Sequence, residues 1–210
     1  MTGFVPSITA APQYYAELGF DTLPLPPGSK QAGVRAWQNR SPLEMWQSAP
    51  KEANIAIRCG GHANLAVIDC DDKNQQGTFY NVQSLMAGLG YMPGAYPVVK
   101  TTSGIGRHIY ISLPEPIQGN HRHLSPELGA GEFRFGSGAY VVAPPSILEK
   151  PYQLIYGDFR QLPELELVDI AKLIHEPNYK NKPNSQISRT AWKLLKGEGL
   201  EMVKYDRSRF

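Results

Sequence analysis

Apolar positions along this chain recur with two periods, and together they place most of the elements. Ala11, Tyr14, Tyr15 and Leu18 fall at helical spacing and stop at Gly19, which predicts a short amphipathic helix over 12–18 with a glycine just past its end. A strand over 20–25 should follow, then a turn at Pro26-Pro27-Gly28-Ser29-Lys30. Ser41-Pro42-Leu43-Glu44 joins a capping box to a proline at the first helical position, opening a helix that carries Met45 and Trp46. Ile55 and Ile57 alternate, and Leu65 to Ile68 run apolar without a break. They read as two strands joined in hairpin fashion by the turn formers at 59–64. Phe79, Val82, Leu85, Met86 and Leu89 give the clearest helical stripe in the chain. Further strands are expected over 96–100, 108–112, 132–135, 139–142 and 152–155, and Leu167, Ile170, Ala171 and Ile174 mark another helix. Strands and helices mixed in this way predict an α+β or α/β sheet domain in place of a bundle or sandwich.

Composition narrows the class. With 41% apolar and 10% aromatic residues against 19% charged, the 210 residues can bury a real core as one large domain or two small lobes, and a mainly disordered chain is excluded. No run of about 18 apolar residues exists and the first nine residues lack a basic segment before an apolar one, so a cytoplasmic location and no membrane partner are expected. Cys59 and Cys70 could form one bridge at most and cannot fill a four-cysteine zinc site, which fits a reducing compartment. The net charge is only +2, but the segment from His175 onward holds eight of the 21 basic residues and four of the 19 acidic ones. The polar stretch NYKNKPNS at 178–185 has the composition of a linker, with a last helix expected over 188–196. The organisation expected is a catalytic domain over 1–176, a linker over 177–186 and a basic helical tail over 187–210 that could begin a further domain.

Three segments hold candidate chemistry. Leu65-Ala66-Val67-Ile68-Asp69-Cys70-Asp71 is an apolar strand ending in two carboxylates at i and i+2, which alternation directs to one face. Two such charges about 6 to 7 Å apart repel by roughly 2.5 kcal/mol at an effective dielectric near 20, a penalty that a hard Mg²⁺ or Mn²⁺ ion removes. The same residues also suit a plain strand end followed by the turn Asp71-Asp72-Lys73-Asn74. The second segment, Lys100 to Tyr110, sets a hydroxyl- and glycine-rich loop before a strand that opens with Arg107 and His108. Its backbone N–H groups, Ser103 and those two side chains are ingredients of a triphosphate cradle; a Ser-Gly turn with His108 satisfied in the core uses the same residues. In the third, Gly131 to Ser146, alternation places Glu132 and Arg134 on one face and Phe133 and Phe135 on the other. There Glu132 could complete a three-carboxylate site or merely pair with Arg134 on a half-exposed strand.

Taken in order, these segments resemble the archaeo-eukaryotic primase superfamily, in its bifunctional primase-polymerase branch of plasmid, phage and mobile-element replication proteins. Asp69-Cys70-Asp71 looks like the family's first motif, Ser103 to His108 its second, and Glu132 to Ser146, with Val141-Val142-Ala143-Pro144-Pro145-Ser146, its third. Tyr14 to Phe20, Leu23-Pro24-Leu25, Gly28-Ser29-Lys30, Trp37 and Ala53 to Ile57 followed by Gly60 look like the family's beginning, so the resemblance spans roughly residues 10–160. Glu132 departs from it, since many relatives have Asp there, and two cysteines leave no room for the zinc-binding insertion of some relatives. The resemblance implies an α+β fold in which an N-terminal α/β unit interlocks with an RRM-like sheet, the active site lying between them. It implies template-directed nucleotidyl transfer on single-stranded or primed DNA, with template, primer and nucleoside triphosphates as partners and a helicase domain or protein downstream. Asp69, Asp71 and Glu132 would be catalytic and hold two Mg²⁺ or Mn²⁺ ions. Ser103, Arg107, His108 and Arg134 would bind the nucleotide, with Lys30 a further phosphate or template contact.

Two other readings compete. A non-catalytic nucleotide- or single-strand-binding module would use exposed aromatics such as Tyr110 or Tyr140 for stacking. A replication-initiator nickase is prompted by His121-Arg122-His123, although Arg122 spoils the metal-pair pattern and the segment reads as a solvated loop over 118–126. A nucleotide-driven motor is unsupported, because Gly28-Ser29-Lys30 lacks the earlier glycine of a phosphate-binding loop.

Overall fold

The computed structural model describes residues 4–175; the linker and basic tail expected over 177–210 lie outside the described residues. In chain order the elements are α1 (Ala11–Glu17), β1 (Thr22–Leu25), a 3₁₀ turn (Trp37–Asn39), α2 (Pro42–Gln47), β2 (Asn54–Arg58), β3 (Leu65–Cys70), α3 (Thr78–Gly88), β4 (Val98–Lys100), β5 (Arg107–Ser112), β6 (His121–His123), β7 (Gly131–Arg134), β8 (Tyr140–Val142), β9 (Gln153–Tyr156) and α4 (Leu167–Leu173). The fold is α+β, with two antiparallel sheets in the orders β1-β2-β8 and β6-β7-β3-β5-β4-β9. No helix among the described residues is long and apolar enough to cross a membrane.

Alternation along β3 explains how the layers stack. Ala66, Ile68 and Cys70 point to one face of the larger sheet, where Ile109, Ile111, Phe133 and Phe135 join them beneath Val82 and Met86 of α3 and Ile170 and Leu173 of α4. Leu65 and Val67 point to the other face, together with Val99 and Tyr110. There they share a second core with Leu23, Leu25, Ile55, Ile57 and Val141 of the smaller sheet and Tyr15 of α1. The strands of the smaller sheet are almost wholly buried. Because β8 returns from late in the chain to pair with β2, the two sheets interlock. Cys59 belongs to one core and Cys70 to the other, both as free thiols, and burial pushes the Cys59 thiol up to about 12.

Three local expectations differ from what is observed. β2 and β3 do not form a hairpin: they enter different sheets, leaving only the Gly60–Leu65 bridge, because Gly60, Gly61 and Asn64 take positive φ and redirect the chain. The Ser41 hydroxyl makes no capping bond; α2 starts through the Ser41 carbonyl, which accepts from the Met45 N–H at 3.2 Å. The segment His121-Arg122-His123 is not a loop but an edge strand, β6, whose register puts His121 opposite Arg134 and His123 opposite Glu132.

After β8 the prolines at 144 and 145 have no N–H to give, and side chains take over the bonding of β2. Ser146 Oγ accepts from the Ile55 N–H at 2.8 Å and donates to the Ile55 carbonyl at 3.0 Å, while Asn54 exchanges two bonds with the backbone of Ile147. Ser146 is fully buried. Removing its hydroxyl leaves the Ile55 N–H unsatisfied in the core, while the Ile55 carbonyl still accepts from the Ala143 N–H at 3.0 Å, at a cost of about 1–3 kcal/mol. Ser146→Ala should therefore lower the free energy of unfolding by that amount, read as a lower denaturant midpoint at unchanged slope, and a midpoint equal to that of the parent chain would mean that the Ile55 N–H finds another partner.

Candidate active site

Glu132, Asp69 and His108 are direct cross-strand neighbours on β7, β3 and β5. One row of titratable side chains therefore crosses the middle of the larger sheet on the face turned toward the smaller one. Two residues back along the strands, Arg134, Val67 and Tyr110 form the next row. Arg134 joins the rows: its Nε donates to Asp69 Oδ2 at 3.2 Å and its Nη2 lies 2.7 Å from Glu132 Oε2. His108 Nε2 is 3.5 Å from Asp69 Oδ1. Burial lowers the His108 pKa below its ordinary value, opposed by Asp69 and reinforced by the charges of Arg134 and Lys30, so the imidazole is neutral near pH 7.

Asp71 follows the last residue of β3 and extends its pairing, its N–H donating to the Ala130 carbonyl at 2.9 Å. The Asn74 side-chain amide donates to the Asp71 carboxylate and steadies it. Asp72 has a separate task that the sequence reading assigned only to a turn. Its carboxylate accepts from the N–H groups of Gly77 at 2.9 Å and Phe79 at 3.2 Å, satisfying the exposed start of α3.

A cavity of about 870 Å³ opens between the sheets. That is ample for a nucleotide-sized ligand. Asp69, Asp71, His108 and Arg134 line one side, Ala139 to Val142 with Gly28 and Lys30 line the other, and Thr101, Thr102, Ser103 and Gly106 close an end. The loop at that end bonds partly to itself. Thr101 N–H donates to the Gly106 carbonyl, Gly104 N–H to the Thr101 carbonyl, and Gly106 N–H to Ser103 Oγ at 2.9 Å. The Ser103 and Thr101 hydroxyls, 3.1 Å apart, line the cavity, and so does Thr102, whose hydroxyl accepts from the Lys150 N–H at 3.0 Å.

Of the residues singled out in the sequence, Asp69, Asp71, Ser103, His108, Arg134 and Lys30 line this one cavity. Arg107 does not. It lies opposite Cys70 in the ladder, so alternation turns it to the α3 face; there its guanidinium packs over Phe79 and donates to the carbonyls of Gly104 and Gly106. It shapes the loop from behind. Glu132 stands beside Asp69 but is engaged by Arg134 and lies 3.8 Å from His121 Nε2. Tyr110 is fully buried and offers no stacking face, whereas Tyr140 is half-buried and lines the cavity with its hydroxyl bonded to backbone. His121, placed on the cavity wall by β6, was missed as a site residue. Its signal was the period-two pattern in which Arg122 lies over Phe135 while the histidines turn to the Glu132 face.

Among the described residues no three His, Cys, Asp or Glu side chains converge closely enough to hold a metal ion, so the three-carboxylate cluster expected from the sequence is not assembled. The donor chemistry of Asp69 and Asp71 nevertheless suits a hard divalent cation. The Arg134 guanidinium between Asp69 and Glu132 already stands in for positive charge at that place.

Residues 11–167 match the family model described as bifunctional DNA primase/polymerase, N-terminal. Among curated proteins none matches the chain.

The close approach of β7 to β3 depends on Gly131, where a Cβ atom would stand 2.2 Å from the Asp69 carbonyl oxygen and 2.8 Å from Leu124. Gly131→Ala should destabilise the protein by about 2 kcal/mol or more, since backbone and not a flexible side chain must yield. Thermal unfolding checks this, and an unshifted midpoint would show that β7 can move away from Asp69 freely.

Proposed function

Because the chain belongs to the bifunctional DNA primase/polymerase family, whose chemistry is nucleotidyl transfer with DNA and nucleotides as substrates, we propose that it extends or starts DNA-templated chains in the cavity between its sheets. The 3′-hydroxyl oxygen of the growing strand forms a bond to the α-phosphorus of the incoming nucleotide, the bond to the bridging oxygen of pyrophosphate breaks, and the hydroxyl proton is lost. The observation that supports this reading best is the convergence of Asp69, Asp71, His108 and Ser103 on one nucleotide-sized cavity.

Each side chain has a physical task in this scheme. Asp69 and Asp71 would hold Mg²⁺ or Mn²⁺, and Glu132, engaged by Arg134 beside Asp69, would join them only on release from that ion pair. A cation bound there would lower the pKa of the attacking hydroxyl and neutralise charge on the phosphates. Neutral His108, fixed by burial, directs a hydrogen bond toward a phosphate oxygen, and the Ser103 hydroxyl offers a second. Arg134, about one-third exposed, brings a guanidinium to the cavity lining. The catalytic module is placed within 1–176, with single-stranded template and primer entering at the cavity mouth.

Asp69→Ala or Asp71→Ala should lower incorporation on a primed template by on the order of 10² to 10³-fold or more, with the circular dichroism spectrum and unfolding midpoint preserved. Near-parental incorporation by either variant would make the pair structural and end the polymerase reading.

His108→Ala should weaken nucleotide binding more than template binding, read by titrating nucleotide against pre-bound template. A loss confined to template would reassign this side of the cavity.

A further inference from the structure

Arg58 and Tyr140 are directly opposite each other on the β2–β8 ladder, and both reach out to the same segment, residues 30–40, between β1 and α2. Arg58 donates to the carbonyls of Gln38 at 2.7 Å and Arg40 at 3.2 Å and lies over the Trp37 ring. Trp37 in turn meets the edge of the Tyr140 ring at 5.0 Å. The Tyr140 hydroxyl does two things at once: it accepts from the Ala32 N–H at 3.0 Å and donates to the Lys30 carbonyl at 3.0 Å. One cross-strand pair therefore fastens both ends of an eleven-residue stretch that has little regular structure of its own.

A clamp of this kind needs something to hold in place. What the fastened segment presents to the cavity is Lys30, with Gly28 just before it. Among the described residues Lys30 makes no ion pair, although it lines the cavity that contains Asp69 and Asp71. Its charge is felt at His108, whose pKa it helps to lower. A lysine in a Pro-Gly turn would ordinarily wander in solvent; here its backbone is pinned from a strand 110 residues away in the chain.

We propose that Tyr140 is a positioning residue: by holding residues 30–32 it aims the Lys30 ammonium at the phosphates of the incoming nucleoside triphosphate. This rests on the nucleotidyl-transfer reading of the same cavity and adds the element that orients the nucleotide from the smaller sheet, facing His108 across the gap. Tyr140 acts through Lys30 and does not touch the ligand with its hydroxyl, which is fully used.

A double-mutant cycle tests this on the full chain. Primer extension is measured as KM and kcat for a deoxynucleoside triphosphate, beside equilibrium binding of that nucleotide and, separately, of single-stranded template. Lys30→Ala should raise the nucleotide KM and Kd by about ten-fold, as expected for loss of one charge-assisted bond, and Lys30→Arg should recover most of it. Tyr140→Phe keeps the ring against Trp37 and should raise KM by about three- to ten-fold, with kcat within about two-fold and template affinity unchanged. The double variant should be no worse than Lys30→Ala alone. A parent chain that neither binds nor incorporates nucleotide would overturn the nucleotidyl-transfer reading itself. An active parent with Lys30→Ala unchanged, or with the loss confined to template, would overturn the assignment of Lys30. Additive effects in the double variant would overturn the role of Tyr140, because it would then act by another route. Lys30 is exposed, so its variants report even if Tyr140→Phe proves unstable.

Discussion

β3 is flanked by apolar cores on both faces and by strands on both edges, and nearly everything else in the molecule follows from that position. Fully burying each of its large aliphatic side chains stabilises the fold by roughly 1.5–3 kcal/mol, and sliding the strand by one residue would turn every one of them to the wrong side. The register is thus secured by residues with no chemistry at all. Asp69 inherits a fixed direction, at the point where the apolar run gives way to the cavity. The carboxylate is placed by its neighbours' burial.

Placing a carboxylate there has an electrostatic consequence that the neighbouring strands answer. Asp69 is about one-quarter exposed, too enclosed for water alone to satisfy it well, and β5 and β7 bring His108 and Arg134 to its two oxygens. Arg134 retains about one-third of its exposure, so its ion pairs contribute modestly to stability and matter more for orientation. The smaller sheet contributes differently. It lends backbone, a pinned lysine and an apolar wall, and its own polar groups are mostly spent on holding segments together.

Much of this was legible in the residues. The stripe of α3, the unbroken apolar run of β3 and the alternation that buries Phe133 and Phe135 while exposing Glu132 and Arg134 to the other face all follow from local periodicity; the family came from the resemblance of three motif segments in their order. What was not legible depended on partners distant in the chain. Whether β2 pairs with β3 or with β8 is decided by which faces must be buried, and a turn rich in glycine is compatible with both. The true face of Arg107 depends on the strand beginning one residue before His108, a boundary that composition does not mark. β6 is a three-residue strand that exists because β7 has an edge to fill. Ser146 looked like the end of a motif, and its bonds to Ile55 required knowing that two prolines would break the ladder beside it.

The return of β8 to the smaller sheet also sets a constraint on time. A chain emerging from the ribosome holds β1 and β2 from residue 58 onward, but a two-stranded ribbon is marginal by itself, and its third strand appears only some eighty residues later. Meanwhile β3 and β5 can pair and begin to bury α3, so the centre of the larger sheet is free to form first while Ile55 and Ile57 wait without cover. Closing such a long loop is slow, and the waiting strand edge is a place where another chain could pair. The cavity between the sheets needs this pairing and the segment after it, which supplies Leu148 and Tyr152 to its wall, so acquisition of the site is coupled to completion of the fold.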